Sequence, residues 1–217
     1  IDGQSQRRGI YVFTDPNVYA GSLRLVDVIV QNGFAQGASS GTIDQMTGFG
    51  GGMLADFARV ELLRVTFRNN QARGGNTAQA VGGSAAGGGA ALRTAGAGTS
   101  LEQVVFTNNQ VLGGSGTQRG GFAVGGGLFT YQTTVSGRYI TAADNQATGG
   151  STTGAGLYNG ETGDAQGAGI ALQISTDAEL QNISVTNNTT TGGNAPNGTA
   201  GGAFGGGVFA EQASVSL

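Results

Sequence analysis

The chain has 217 residues, 44 of them Gly and only 2 Pro, with no Cys, His, Trp or Lys and a net charge of −3. Low charge and low proline exclude the usual composition of a disordered chain, the absence of an every-third-residue glycine rule excludes collagen, and the acidic balance argues against a nucleic-acid partner. Without Cys or His there is no disulfide, no thiolate or imidazole metal ligand and no histidine base, and no apolar run reaches the ~20 residues of a membrane span.

In chain order, one six-residue phrase returns five times: 28–33 (Val-Ile-Val-Gln-Asn-Gly), 65–70 (Val-Thr-Phe-Arg-Asn-Asn), 104–109, 140–145 and 183–188. A glycine phrase travels with it, beginning at Gly50, Gly87, Gly125, Gly167 and Gly205 and followed by Met53, Ala90, Leu128, Ile170 and Val208. A recurring period of this size is the mark of a solenoid. The rungs are expected near 10–33, 50–70, 87–109, 125–145 and 167–188, with a partial rung at 205–217. The whole of 1–217 reads as a single repeat domain, expected to be a piece of a longer chain.

Aligned copies place Val28, Val65, Val104, Ile140 and Ile183 in one column, and Val30, Phe67, Phe106, Ala142 and Val185 two residues later. The residues between them are mostly polar. Such alternation predicts a strand with one face inward. Two further strands are predicted per rung, one after the glycines and one around Leu23, Val60, Val135 and their equivalents. Continuing the alternation points the next column inward (Asn32, Asn69, Asn108, Asp144, Asn187), where stacked amides are expected to form a ladder. The last column exchanges Gly33 with Asn70, Asn109, Asn145 and Asn188, so a left-handed corner is expected there.

The linkers at 34–49, 71–86, 110–124, 146–166 and 189–204 are of similar length and stack by the same logic. They are expected to form a flange outside one coil, with room for extra short strands. The fold class that follows is all-β: a right-handed parallel β-helix of about five rungs, with a long Gly-rich linker loop per rung.

Phe67-Arg68-Asn69-Asn70 and Phe106-Thr107-Asn108-Asn109 resemble an FxxN repeat, and Gly88-Gly89-Ala90, Gly126-Gly127-Leu128 and Gly206-Gly207-Val208 resemble a GGA[ILV] repeat. The pair is similar to the repeats of polymorphic outer-membrane autotransporter passengers, within the wider group of bacterial pectin-lyase-like repeat proteins. The resemblance spans about residues 23 to 210 and implies a secreted or surface-exposed β-helix, often an adhesin. The linkers here are longer than those usual between the two motifs.

The thirteen acids do not gather on one face of adjacent rungs, as a polysaccharide lyase or hydrolase needs. Asp27 and Arg64 fall in one column and are expected to form a solvated pair. The fourth linker is longer than its peers and carries Tyr158, Asn159, Glu161 and Asp164. These are the candidate ligand residues, for a sugar or for Ca²⁺, beside the plainer reading of a tolerated surface insertion. The glycine triplets lack the Lys and the helix of a phosphate loop and are expected to serve close stacking.

The function expected is a non-enzymatic extracellular or cell-surface structural or adhesive protein: a stalk, fibre or surface-layer component. The alternative is a carbohydrate-active β-helix of lyase, hydrolase or tailspike type, or a glycan-binding module using the linker loops. Expected partners are other copies, through the helix ends or flange loops, and a surface glycan or host receptor. No nucleic acid and no membrane insertion of this segment are expected.

Overall fold

The computed structural model describes residues 1–15, 21–78, 81–94, 98–153, 163–174, 178–196 and 198–216. It is an all-β parallel solenoid of about five turns. Each strand pairs in parallel with the equivalent strand one period away, so one turn of the solenoid is one sequence period.

Five sheets run along the axis. In one typical turn, sheet I contributes Ala90–Arg93, sheet II Thr99–Glu102, sheet III Val105–Thr107, sheet IV Gln110–Leu112 and sheet V Ala123–Val124. Sheets I to III were expected. Sheets IV and V lie in the linkers, where two- and three-residue strands built on alanine are too short to show a period. The only helix among the described residues is Ile43–Met46, opened by a Thr42–Gln45 capping box.

The cross-section has two lobes. Sheets I to III enclose the main core, where Phe67, Phe106, Leu62, Leu92, Leu101, Leu128 and Leu180 are at most 1% exposed. Each such side chain contributes about 1.5–3 kcal/mol by leaving water. Phe67 and Phe106 stack at 5.2 Å and 9°, one on each of two successive turns. Sheets IV and V enclose a thinner core of Ala72, Ala85, Val111, Ala123, Ala147 and Ala165, all fully buried. Methyl-sized side chains let the two walls of this second lobe approach closely.

At the tip of the lobe the approach becomes backbone on backbone. Gly83 N–H donates to Gly75 O, Gly114 N–H to Gly83 O, Gly121 N–H to Gly114 O and Gly150 N–H to Gly121 O, all at 2.8–2.9 Å. Outgoing and returning chains of successive turns therefore alternate in one glycine zipper. A Cβ added at Gly121 would lie 1.8 Å from Gly83 O, which is why this position carries no side chain.

The asparagine roles are the reverse of those expected. Asn32, Asn69, Asn108, Asp144 and Asn187 hold the left-handed corner, with φ of 51–57°, and Asn69, Asn108, Asp144 and Asn187 are exposed. Asn70, Asn109 and Asn145 are buried and form the ladder. A left-handed residue interrupts strand alternation, so the inward position moves one residue on. Asp144 thus sits where a carboxylate meets water, and the ladder contains amides only.

Ladder geometry is regular. Asn70 Nδ2 donates to Asn109 Oδ1 at 2.9 Å, Asn109 Nδ2 to Asn145 Oδ1 at 3.0 Å, and Asn145 Nδ2 to Asn188 Oδ1 at 2.9 Å. Each amide also donates to a main-chain carbonyl of the preceding turn: Val30, Phe67, Phe106 and Ala142 in order. Gly33 has no amide to add, but its N–H donates to Asn70 Oδ1 at 2.8 Å and starts the row.

Candidate functional site

The ladder lies at the waist between the lobes, where the glycine triplets cross back over it. A Cβ on Gly52 would meet the Asn70 amide at 2.9 Å, and one on Gly51 would meet Gln71 O at 2.3 Å. The first glycine of each triplet takes φ of 54–68°, turning the chain from sheet V into sheet I. This turn folds the outer faces of the two sheets toward each other and creates a trough parallel to the axis.

One outward column of sheet I reads Tyr11, Leu54, Ala91, Phe129, Ala171 and Phe209. The next reads Phe13, Asp56, Arg93, Tyr131, Gln173 and Glu211. The facing column of sheet V reads Phe49, Ala86, Val124, Gln166 and Phe204. Leu54, Ala86, Ala91, Val124, Phe129 and Ala171 pack together as the trough floor. Phe57 meets Phe13 edge-on at 6.3 Å and Phe122 packs beside the floor. Nine of the fifteen Phe and Tyr residues therefore belong to this one side of the molecule.

Two crossbars divide the trough. Arg93, held by Asp56 at 2.6 Å, reaches from sheet I to stack 4.0 Å from the centre of the Phe49 ring on sheet V. Two turns further along, Gln173 Nε2 on sheet I donates to Gln166 Oε1 on sheet V at 3.2 Å and to Glu211 Oε2 at 2.9 Å. Between the bars stand Phe122, Val124, Phe129 and Tyr131, with Phe129 and Tyr131 stacked at 6.4 Å and 21°. The whole concavity, which extends past both bars from Asp44 and Phe49 to Glu211, measures about 550 Å³, within the usual range of ligand pockets. At the first turn, Arg8 donates to Phe49 O at 2.8 Å and lies over the Tyr11 ring, and burial pushes its guanidinium pKa down.

Asp164 lines this trough; it is 9% exposed, and its Oδ1 accepts from Gly202 N–H at 2.6 Å. Tyr158, Asn159 and Glu161 lie outside the described residues. Sequence reasoning missed the trough because its second wall, sheet V, is a two-residue strand inside each linker, although only the glycine triplet separates it from sheet I. The register of Tyr131 opposite Arg93 and Gln173 was the available signal.

The opposite side of the waist is polar. Asn69, Asn108 and Asp144 border a concavity of about 260 Å³ with Gln71, Gln110 and Gln146. These glutamines bond to one another, Gln71 to Gln110 and Gln110 to Gln146, and so form a second amide row. On the rim between sheets II and III, Arg64 grips Asp27 through two bonds of 2.5 and 2.8 Å, and this contact holds the Asp27 pKa below its ordinary value. Arg24 pairs with Glu61 at 2.9 Å. Among the described residues no three His, Cys, Asp or Glu side chains gather as a metal site.

Fold and site together define a β-solenoid with an aromatic trough along one face. Compared with models of known protein families, with curated proteins and with solved structures, the chain matches none.

Proposed function

We propose that this chain is a non-enzymatic structural and adhesive module of an extracellular or bacterial cell-surface protein, comparable in role to the autotransporter passengers its repeats resemble. The observation that carries the reading is the unbroken axial bonding. The buried asparagine row links turn to turn at 2.9–3.0 Å, and the glycine zipper does the same at the far lobe. Such a molecule resists bending and shear along its axis, as a stalk requires. Three of the acids support the same reading: Asp56, Asp27 and Glu61 are each paired with an Arg, while Asp164 and Glu211 in the trough accept from Gly202 N–H and Gln173 Nε2.

The test is incubation with neutral and acidic polysaccharides, followed by assay of new reducing ends and unsaturated products. The reading expects none above a heat-denatured control. Sustained turnover would replace it with the carbohydrate-active alternative.

A further inference from the structure

We propose that the compartment between the two crossbars of the trough binds a short, uncharged oligosaccharide. This deepens the adhesive half of the reading above and rests on it only for its setting. The argument begins with Tyr131 and Phe129. Their rings form an apolar wall one turn from planar polar groups, Gln173 and Gln166, and from the Asp164 carboxylate, with Glu211 one turn further on. A pyranose ring has the matching anatomy: C–H faces that stack on an aromatic ring, and an edge of hydroxyls that pair with amides and carboxylates.

Charge narrows the class. Arg93, the cation facing the compartment from sheet I, is committed to Asp56 and to the Phe49 ring. Against Arg119, stacked 4.4 Å from the centre of the Phe122 ring, stand the carboxylates of Asp44, Asp164 and Glu211, so the open part of the trough is acidic on balance, which repels polyuronates and phosphorylated ligands. Main-chain geometry excludes an extended peptide added as a strand. The backbone groups of sheets I and V are spent on their own parallel neighbours, so the walls offer side chains alone.

The experiment is calorimetric titration of the whole 217-residue chain with soluble neutral hexose and pentose oligosaccharides, and with oligogalacturonate as the acidic comparison. At least one neutral oligosaccharide is expected to bind, with Tyr131→Ala and Gln173→Ala each weakening it by about tenfold or more. Tyr139→Ala, an exposed aromatic at the rim between sheets II and III, is expected to leave binding unchanged. Thermal melting of each variant separates lost contact from lost fold, and Gln173→Ala carries the test if Tyr131→Ala melts early. The proposal is overturned if no neutral oligosaccharide binds, if binding survives both substitutions, or if oligogalacturonate binds best. Cleavage of a bound neutral chain would leave the site standing and overturn the non-enzymatic reading instead.

Discussion

Two adjacent asparagines in each turn do opposite jobs, and substitution should separate them. Asn109 Oδ1 accepts from both the N–H and the Nδ2 of Asn70, while its own Nδ2 donates to Phe67 O and Asn145 Oδ1. Asn109→Ala strands several buried polar groups, at a cost of about 1–3 kcal/mol for each one left unsatisfied. Its exposed neighbour Asn108 only has to tolerate φ of 53°. Asn108→Ala should cost about 1 kcal/mol and Asn108→Gly close to nothing. Urea denaturation of the three variants checks the order. The same logic applies to Ile174, a β-branched residue held at φ of 49°; Ile174→Asn should stabilise by about 1 kcal/mol, read as a higher melting temperature. At the Asp27–Arg64 pair the folded carboxylate pKa is lowered, chiefly by the hydrogen bond from Arg64. Its contribution is therefore present above the ordinary carboxylate pKa and lost as pH falls through the lowered one. Arg64→Ala should differ from the parent at neutral pH, and the difference should shrink in acid.

Strand alternation in the six-residue phrase was legible because Val65 and Phe67 keep strict period two. The ladder was legible as a pair of columns, but their roles were not. Asn suits both a left-handed corner and an inward amide row, and extrapolating the period from Phe67 lands on Asn69 rather than Asn70. Other corners left no trace, since Phe57, Thr94, Gln132, Ile174 and Gln212 share φ of 47–57° without sharing chemistry. Sheets IV and V were hidden by their length, and the trough with them, because sheet V is one of its walls. The second lobe depends on glycine more than on burial. Gly121→Ala forces a Cβ against Gly83 O and should open the zipper. Hydrogen exchange should then rise at Gly114, Gly121 and Gly150 while amides of Phe67 and Phe106 stay protected. Uniform loss of protection would show that the two lobes do not unfold separately.

For the whole molecule, stacking of near-identical turns makes stability approximately a sum of turn and interface contributions. Excising residues 87–124 joins Ala86 to Gly125, the same two columns that Ala86 and Gly87 occupy. The shortened chain should keep its parallel sheets, with a lower melting temperature and a β-rich circular dichroism spectrum; a disordered spectrum would refute modular stacking. The two faces of the waist suggest a division of labour, with saturated amide rows on one side serving rigidity and aromatics on the other serving recognition. The most direct measurement is mass spectrometry of a neutral oligosaccharide after capture on the immobilised protein and release by denaturation. A module that adheres without chemistry returns the oligosaccharide retained and at its original mass; a shortened oligosaccharide, or none retained, contradicts it.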